Sequence, residues 1–113
     1  MLRELLEMYA AESRLYREIL ELSRRQGELI GRGAGVSDLR SLLAEKRDRL
    51  DEIARLERRH ADARSQWEAA RSAGLGAAAA GLHVALREVG ALIEQILELE
   101  ERNDRLLLAE TGA

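Results

Sequence analysis

The chain is 113 residues long, enough for one domain, and it carries 18 basic against 21 acidic side chains for a net charge of −3. That balance excludes the basic footprint of a nucleic-acid binder, and the lack of cysteine excludes disulfides and thiolate metal sites. Proline and phenylalanine are absent and aromatic residues make up only 3%, which disfavours a sheet, whereas plentiful Leu, Ala, Glu and Arg favour long helices.

A first helix is expected over about residues 2–30. Met1, Met8, Leu15, Leu22 and Leu29 recur at seven-residue spacing, with Leu5, Glu12, Ile19 and Gln26 as a partner row. Leu2, Tyr9 and Tyr16 widen this stripe on one side, and Leu6 and Leu20 on the other, so the helix should touch two neighbours. The stretch "GRGAGVSDL", residues 31–39, follows. It has neither the Gly-Lys-Ser/Thr of a phosphate loop nor the strand and third glycine of a dinucleotide loop. It reads as a turn in which Gly31 ends the first helix in a left-handed conformation. Ser37 or Asp38 then caps the second helix, with Asp38 at the positive end of its dipole.

The second helix is expected over about 38–73. Leu39, Leu42, Leu43, Leu50, Ile53, Leu56, Ala63, Trp67 and Ala70 keep the three-four spacing, and Lys46 and His60 interrupt it. A second break centres on "SAGLG", residues 72–76, and runs into Ala77–Ala80 and Gly81; this end should be the softest of the fold. The third helix is expected over about 77–110. Leu82, Val89, Ile96 and Asn103 form one row, Ala85, Leu92, Leu99 and Leu106 another, and Leu86, Ile93 and Leu107 a third. Short breaks between long helices favour antiparallel neighbours. The expected fold is therefore a single all-α domain over 1–113, an antiparallel up-down-up three-helix bundle of coiled-coil-like helices, with the third parallel to the first.

Candidate chemistry is sparse. Glu57 and His60 form an ExxH, but helical di-iron sites need two such motifs and two further Glu residues, and the other histidine, His83, has Ala80 three residues before it. No metal and no cofactor are expected. Ser13, Ser23, Ser37, Ser41, Ser65 and Ser72 fall at polar faces or caps, and the carboxylates stand at salt-bridge spacings such as Glu45–Arg49 and Glu98–Arg102, so an enzyme is not expected. The N-terminus has no signal-peptide pattern, and the longest uncharged run, residues 72–86, is too short and too rich in Gly and Ala to span a bilayer. A cytoplasmic protein without a membrane partner is expected. Asn103 occupies a core row, where a single polar residue either sets register or meets a partner. Leu106, Leu107 and Leu108 cover about 200° of a helix, so at least one is exposed, docks a partner or lies in a dimer interface.

At this level the chain resembles the FlgN family of flagellar type III export chaperones, with FliT-type chaperones as analogues. The similarity lies in "LRELLEMYAAESRLYREILELSRRQGELI", in "GVSDLRSLLAEKRDRLDEIARLE" after a short turn, and in "LIEQILELEERNDRLLL", whose Asn103, Leu106 and Leu107 match an N..LL signature. The glycine-alanine break at 72–81 departs from the family pattern. The resemblance implies a chaperone that binds the C-terminal amphipathic helix of hook–filament junction proteins, prevents their premature assembly and aids their export. Recognition would be of the helix-in-groove kind. Tyr9, Tyr16, Asn103, Leu106, Leu107 and Leu108 are the candidate partner-binding residues. The alternative is a homodimeric structural coiled coil in which the surplus leucines bury each other across a two-fold axis.

Overall fold

The structure is a computed structural model that describes residues 1–72 and 80–110, the side chain of residue 110 excepted. It is all-helical over those residues and contains four helices: α1 (Leu2–Gly31), α2 (Val36–Arg59), α3 (Ala61–Ser72) and α4 (Ala80–Glu110). The molecule is an elongated rod of 55 × 21 × 19 Å. The second expected helix is thus two. His60 separates them with φ −106° and ψ 19°, although its amide still donates to the Leu56 carbonyl at 3.1 Å and its carbonyl accepts from the Arg64 amide at 3.1 Å. The apolar spacing does not distinguish this point from Lys46, which also interrupts the stripe but lies inside α2. The charges do mark it: Arg58 and Arg59 close α2 and Asp62 opens α3, each the favourable sign for that helix end. The His60 side chain is drawn aside to Glu4 on α1, with Nδ1 2.7 Å from Oε2.

The course of the chain follows from which side chains meet. Leu82 at the start of α4 packs with Leu5 and Met8 at the start of α1, and Asn103 near the end of α4 bonds Ser23 near the end of α1, so these helices run parallel. Lys46 meets Gln26, Ile53 meets Leu15 and Ile19, and Trp67 meets Leu5 and Met8, so α2 and α3 descend antiparallel to α1. The wide apolar stripe of α1 therefore serves two neighbours, α4 on one side and α2–α3 on the other, as its breadth requires. One core cluster joins Leu5, Met8, Ala63, Trp67 and Leu82; the other joins Leu15, Ile19 and Ile53, with Ile96 packed against it. Burial of this apolar area is the main stabilising term, about 25 cal/mol per Å² removed from water.

The turn between α1 and α2 differs in detail from the expectation. Gly31 is the last helical residue, Arg32 is the cap at φ −89°, and Gly33 is the residue with positive φ, at 69°. The Gly33 amide donates to the Ile30 carbonyl at 3.0 Å and the Ala34 amide to the Leu29 carbonyl at 2.9 Å, the pair of bonds that makes a Schellman motif. Because this motif has already reversed the chain, α2 starts earlier than expected. Gly35 is its N-cap, and Ser37 and Asp38 lie inside its first turn rather than capping it, although Asp38 keeps its favourable place on the dipole. Gly33→Ala should therefore cost about 1 kcal/mol, because an L side chain is strained in the left-handed region. Gly31→Ala should be neutral or stabilising by up to about 1 kcal/mol, since a helical glycine wastes conformational entropy. Urea unfolding of the two variants tests this; the reverse order would mean that Gly31 is the left-handed residue.

The Gly-Ala break at 72–81 lies mostly outside the described residues, and the expectation of softness there lies outside them too. α3 ends at Ser72 and α4 starts at Ala80. No helix among the described residues is long and apolar enough to cross a membrane.

Candidate partner-binding surface

Three features set the rod apart from a bundle with an ordinary, fully covered apolar core. The first is a buried polar layer joining α1, α2 and α4. Lys46, the sole lysine of the chain, is 8% exposed where it enters from α2. Its ammonium donates to Gln26 Oε1 on α1 at 2.9 Å and to the Glu100 carboxylate on α4. The Ser23 hydroxyl donates to Glu100 Oε1 at 2.6 Å, and Asn103 Nδ2 donates to the Ser23 carbonyl at 2.9 Å. A buried charge is tolerable only when paired and hydrogen-bonded, and this one has both partners. Ser13 and Ser23, read from the sequence as polar-face residues, are buried. Small side chains there let α4 approach, and glycine at 27 does the same: a Cβ would fall 2.7 Å from Asn103 Oδ1.

The second feature is Glu12, only 2% exposed on α1 beneath the α2–α3 break. Its Oε1 has no hydrogen-bond partner. Burial, then a hydrogen bond and repulsion from the Glu57 carboxyl, push the Glu12 carboxyl up to about 7, and the Arg64 guanidinium only partly offsets them. Glu57 on α2 and Arg64 on α3 face each other across the break at 3.9 Å. Tyr9 and Tyr16, one turn either side of Glu12, are half-buried, and burial raises both phenols.

The third feature is an apolar trough. Above α1, helices α2 and α4 stand apart, leaving a depression of about 250 Å³ lined by Tyr16, Ile19, Leu50, Ile93, Ile96 and Leu97. Leu97 is 63% exposed and Leu50 50%. On α2 the exposed apolar row continues at seven-residue spacing through Leu43 to Val36. A free apolar strip along two helices over a third is the shape that accepts an amphipathic helix.

The six residues singled out from the sequence are not brought together. Tyr16 lines the trough. Tyr9 lies two turns away, packed against the Leu5–Trp67 cluster. Asn103 is 1% exposed and tied to the Ser23 backbone, the geometry of a register-setting residue. Leu106, Leu107 and Leu108 are exposed at the far end of α4. Leu43, Leu50 and Leu97 were missed as surface. Leu43 and Leu50 sit in the α2 stripe and read as core, but they stand about half exposed on an edge of α2 that no helix among the described residues covers. Leu97 carried a usable signal, because it is a leucine of the third helix outside all three of its apolar rows.

The family model for FlgN protein matches residues 1–111. The chain belongs to the FlgN family. FlgN proteins are chaperones of flagellar export that bind protein partners, and that general role is this chain's by membership. No curated protein and no solved structure matches the chain. In this FlgN protein the trough with its α2 row and the leucine-rich end of α4 hold most of the large apolar side chains exposed among the described residues; Met1, Leu6 and Val84 are the others.

Proposed function

We propose that this FlgN-family chain holds the C-terminal amphipathic helix of hook–filament junction proteins in the cytoplasm, keeps those proteins from assembling early and presents them for export. The observation that carries the reading is the apolar trough between α2 and α4, lined by Tyr16, Ile19, Leu50, Ile93, Ile96 and Leu97. Anchors at i, i+3, i+4 and i+7 of a bound helix would enter it, and the exposed leucines at 106–108 would extend the contact. An isolated amphipathic helix self-associates through its apolar face, so covering that face is a sufficient mechanism for preventing assembly.

The test is to mix the purified protein with a synthetic C-terminal helix of a junction protein from the same source, and to follow light scattering after size exclusion together with thermal melting. A one-to-one complex with a raised melting temperature is expected, since a ligand that binds the folded state stabilises it. A stable dimer that ignores the peptide and melts in a concentration-dependent way would instead make this a structural coiled coil.

A further inference from the structure

We infer that the two rims of the trough carry opposite charge and thereby fix the direction in which a bound helix lies. This rests on the chaperone reading above and adds the partner's charge pattern to it. On α2, Arg40 and Arg47 flank Leu43 and border a second depression with Ala44. Arg47 also stands three residues before Leu50, on the same helical face and farther from α1. On α4, Glu94 and Glu101 stand three before and four after Leu97 in the equivalent outer position. All four are exposed. Glu101 touches Arg105 at 3.9 Å, but both side chains are about 70% exposed, which leaves that pair weak and replaceable. The rims thus differ in sign, in a helix pair whose deeper contact, Lys46 with Glu100, has the same polarity.

The partner that fits is an amphipathic helix with acidic residues along one edge of its apolar stripe and basic residues along the other. Turning a helix end for end in a trough exchanges its edges. Only one direction places acids against the α2 arginines and bases against the α4 glutamates; the other sets like charges face to face. The rims therefore select a direction, which an apolar trough alone would not.

The experiment uses two synthetic helices of about 20 residues with identical composition and identical leucine stripes, their acidic and basic edges exchanged. Each carries an acceptor dye at its N-terminus. The chain has no cysteine, so Ser37→Cys, on the exposed first turn of α2, takes one donor dye. One peptide should give high energy transfer and the other low. Arg47→Glu combined with Glu101→Arg leaves one charge of each sign on each rim and should bring the two signals together. Leu97→Glu and Leu50→Glu, both at exposed positions that the fold does not depend on, should each weaken binding about tenfold or more.

Equal transfer from both peptides, or signals that the double charge reversal leaves in place, would overturn the inference. So would a junction-protein helix that binds with undiminished affinity to Leu50→Glu and Leu97→Glu but is lost on changing Leu106–Leu108; the chaperone reading would then survive on a different surface. Trough variants that dissolve a dimer while no peptide binds would overturn both.

Discussion

Glu12→Gln should raise stability at about pH 8 by roughly 2 kcal/mol, which for a chain of this length moves the melting temperature by roughly 8 °C. Glu12 ionises near 4.5 in the unfolded chain and near 7 in the folded one, because burial and the Glu57 carboxyl oppose its charge. The folded state therefore prefers the protonated form. No penalty exists below the unfolded value. It grows as pH rises from about 4.5 to about 7 and is complete above that. The parent protein should lose stability through that window, and the Gln variant, which carries no proton to lose, should show a flatter profile there. Glutamine also keeps a donor for Glu57, so the change removes the charge without removing the contact. Urea midpoints measured at intervals across the window decide it. A Gln variant that is less stable than the parent at about pH 8 would mean that Glu12 is ionised and well partnered by Arg64.

The second large effect is at the opposite end of the rod. Lys46→Met should destabilise by roughly 2 kcal/mol, because it leaves the Glu100 carboxylate and the Gln26 amide facing an apolar side chain. The full cost of breaking a deeply buried pair is larger, but the Glu100 side chain is 31% exposed and water can replace part of what is lost. Lys46→Met with Glu100→Leu should recover most of the loss, since removing both charges also removes the need to solvate them. Denaturant unfolding of the singles and the double closes a cycle, with coupling of roughly 1 kcal/mol or more expected. Additive single effects would show that the pair holds nothing.

These two sites belong to the same design problem. A bundle whose apolar rows repeat at seven-residue spacing can slip by seven residues, about two turns, with little change in the pattern of burial. Lys46, Ser23, Glu100 and Asn103 form one chain of hydrogen bonds that closes at a single register, and Gly27 admits Asn103 only where the two helices meet as they do here. At the other end Trp67, Leu82 and Leu5 perform the same task by shape. Between them lies the trough, where α2 and α4 are held apart rather than joined, so that its leucines stay uncovered while both ends of the rod are secured.

The heptad rows, the glycine break at 31–37 and the scarcity of aromatic residues were enough to settle the helical character of the described residues, the extent of α1, and the end of α4's apolar pattern, because a 3.6-residue period over about 30 residues admits one local structure. The seven-residue repeat and the N..LL ending likewise carried the family, which the match over residues 1–111 bears out. Tertiary structure decided the rest. It moved the left-handed residue from Gly31 to Gly33, since which glycine takes positive φ depends on where the helix's last hydrogen bonds close. It divided the expected second helix at His60, where Glu4 on another helix supplies a partner that no local pattern contains. It buried Asn103, Lys46 and Glu12, and left Leu43, Leu50 and Leu97 in the open. Periodicity tells which side chains share a face of one helix; only the packing of three directions of chain tells which of those faces another helix covers.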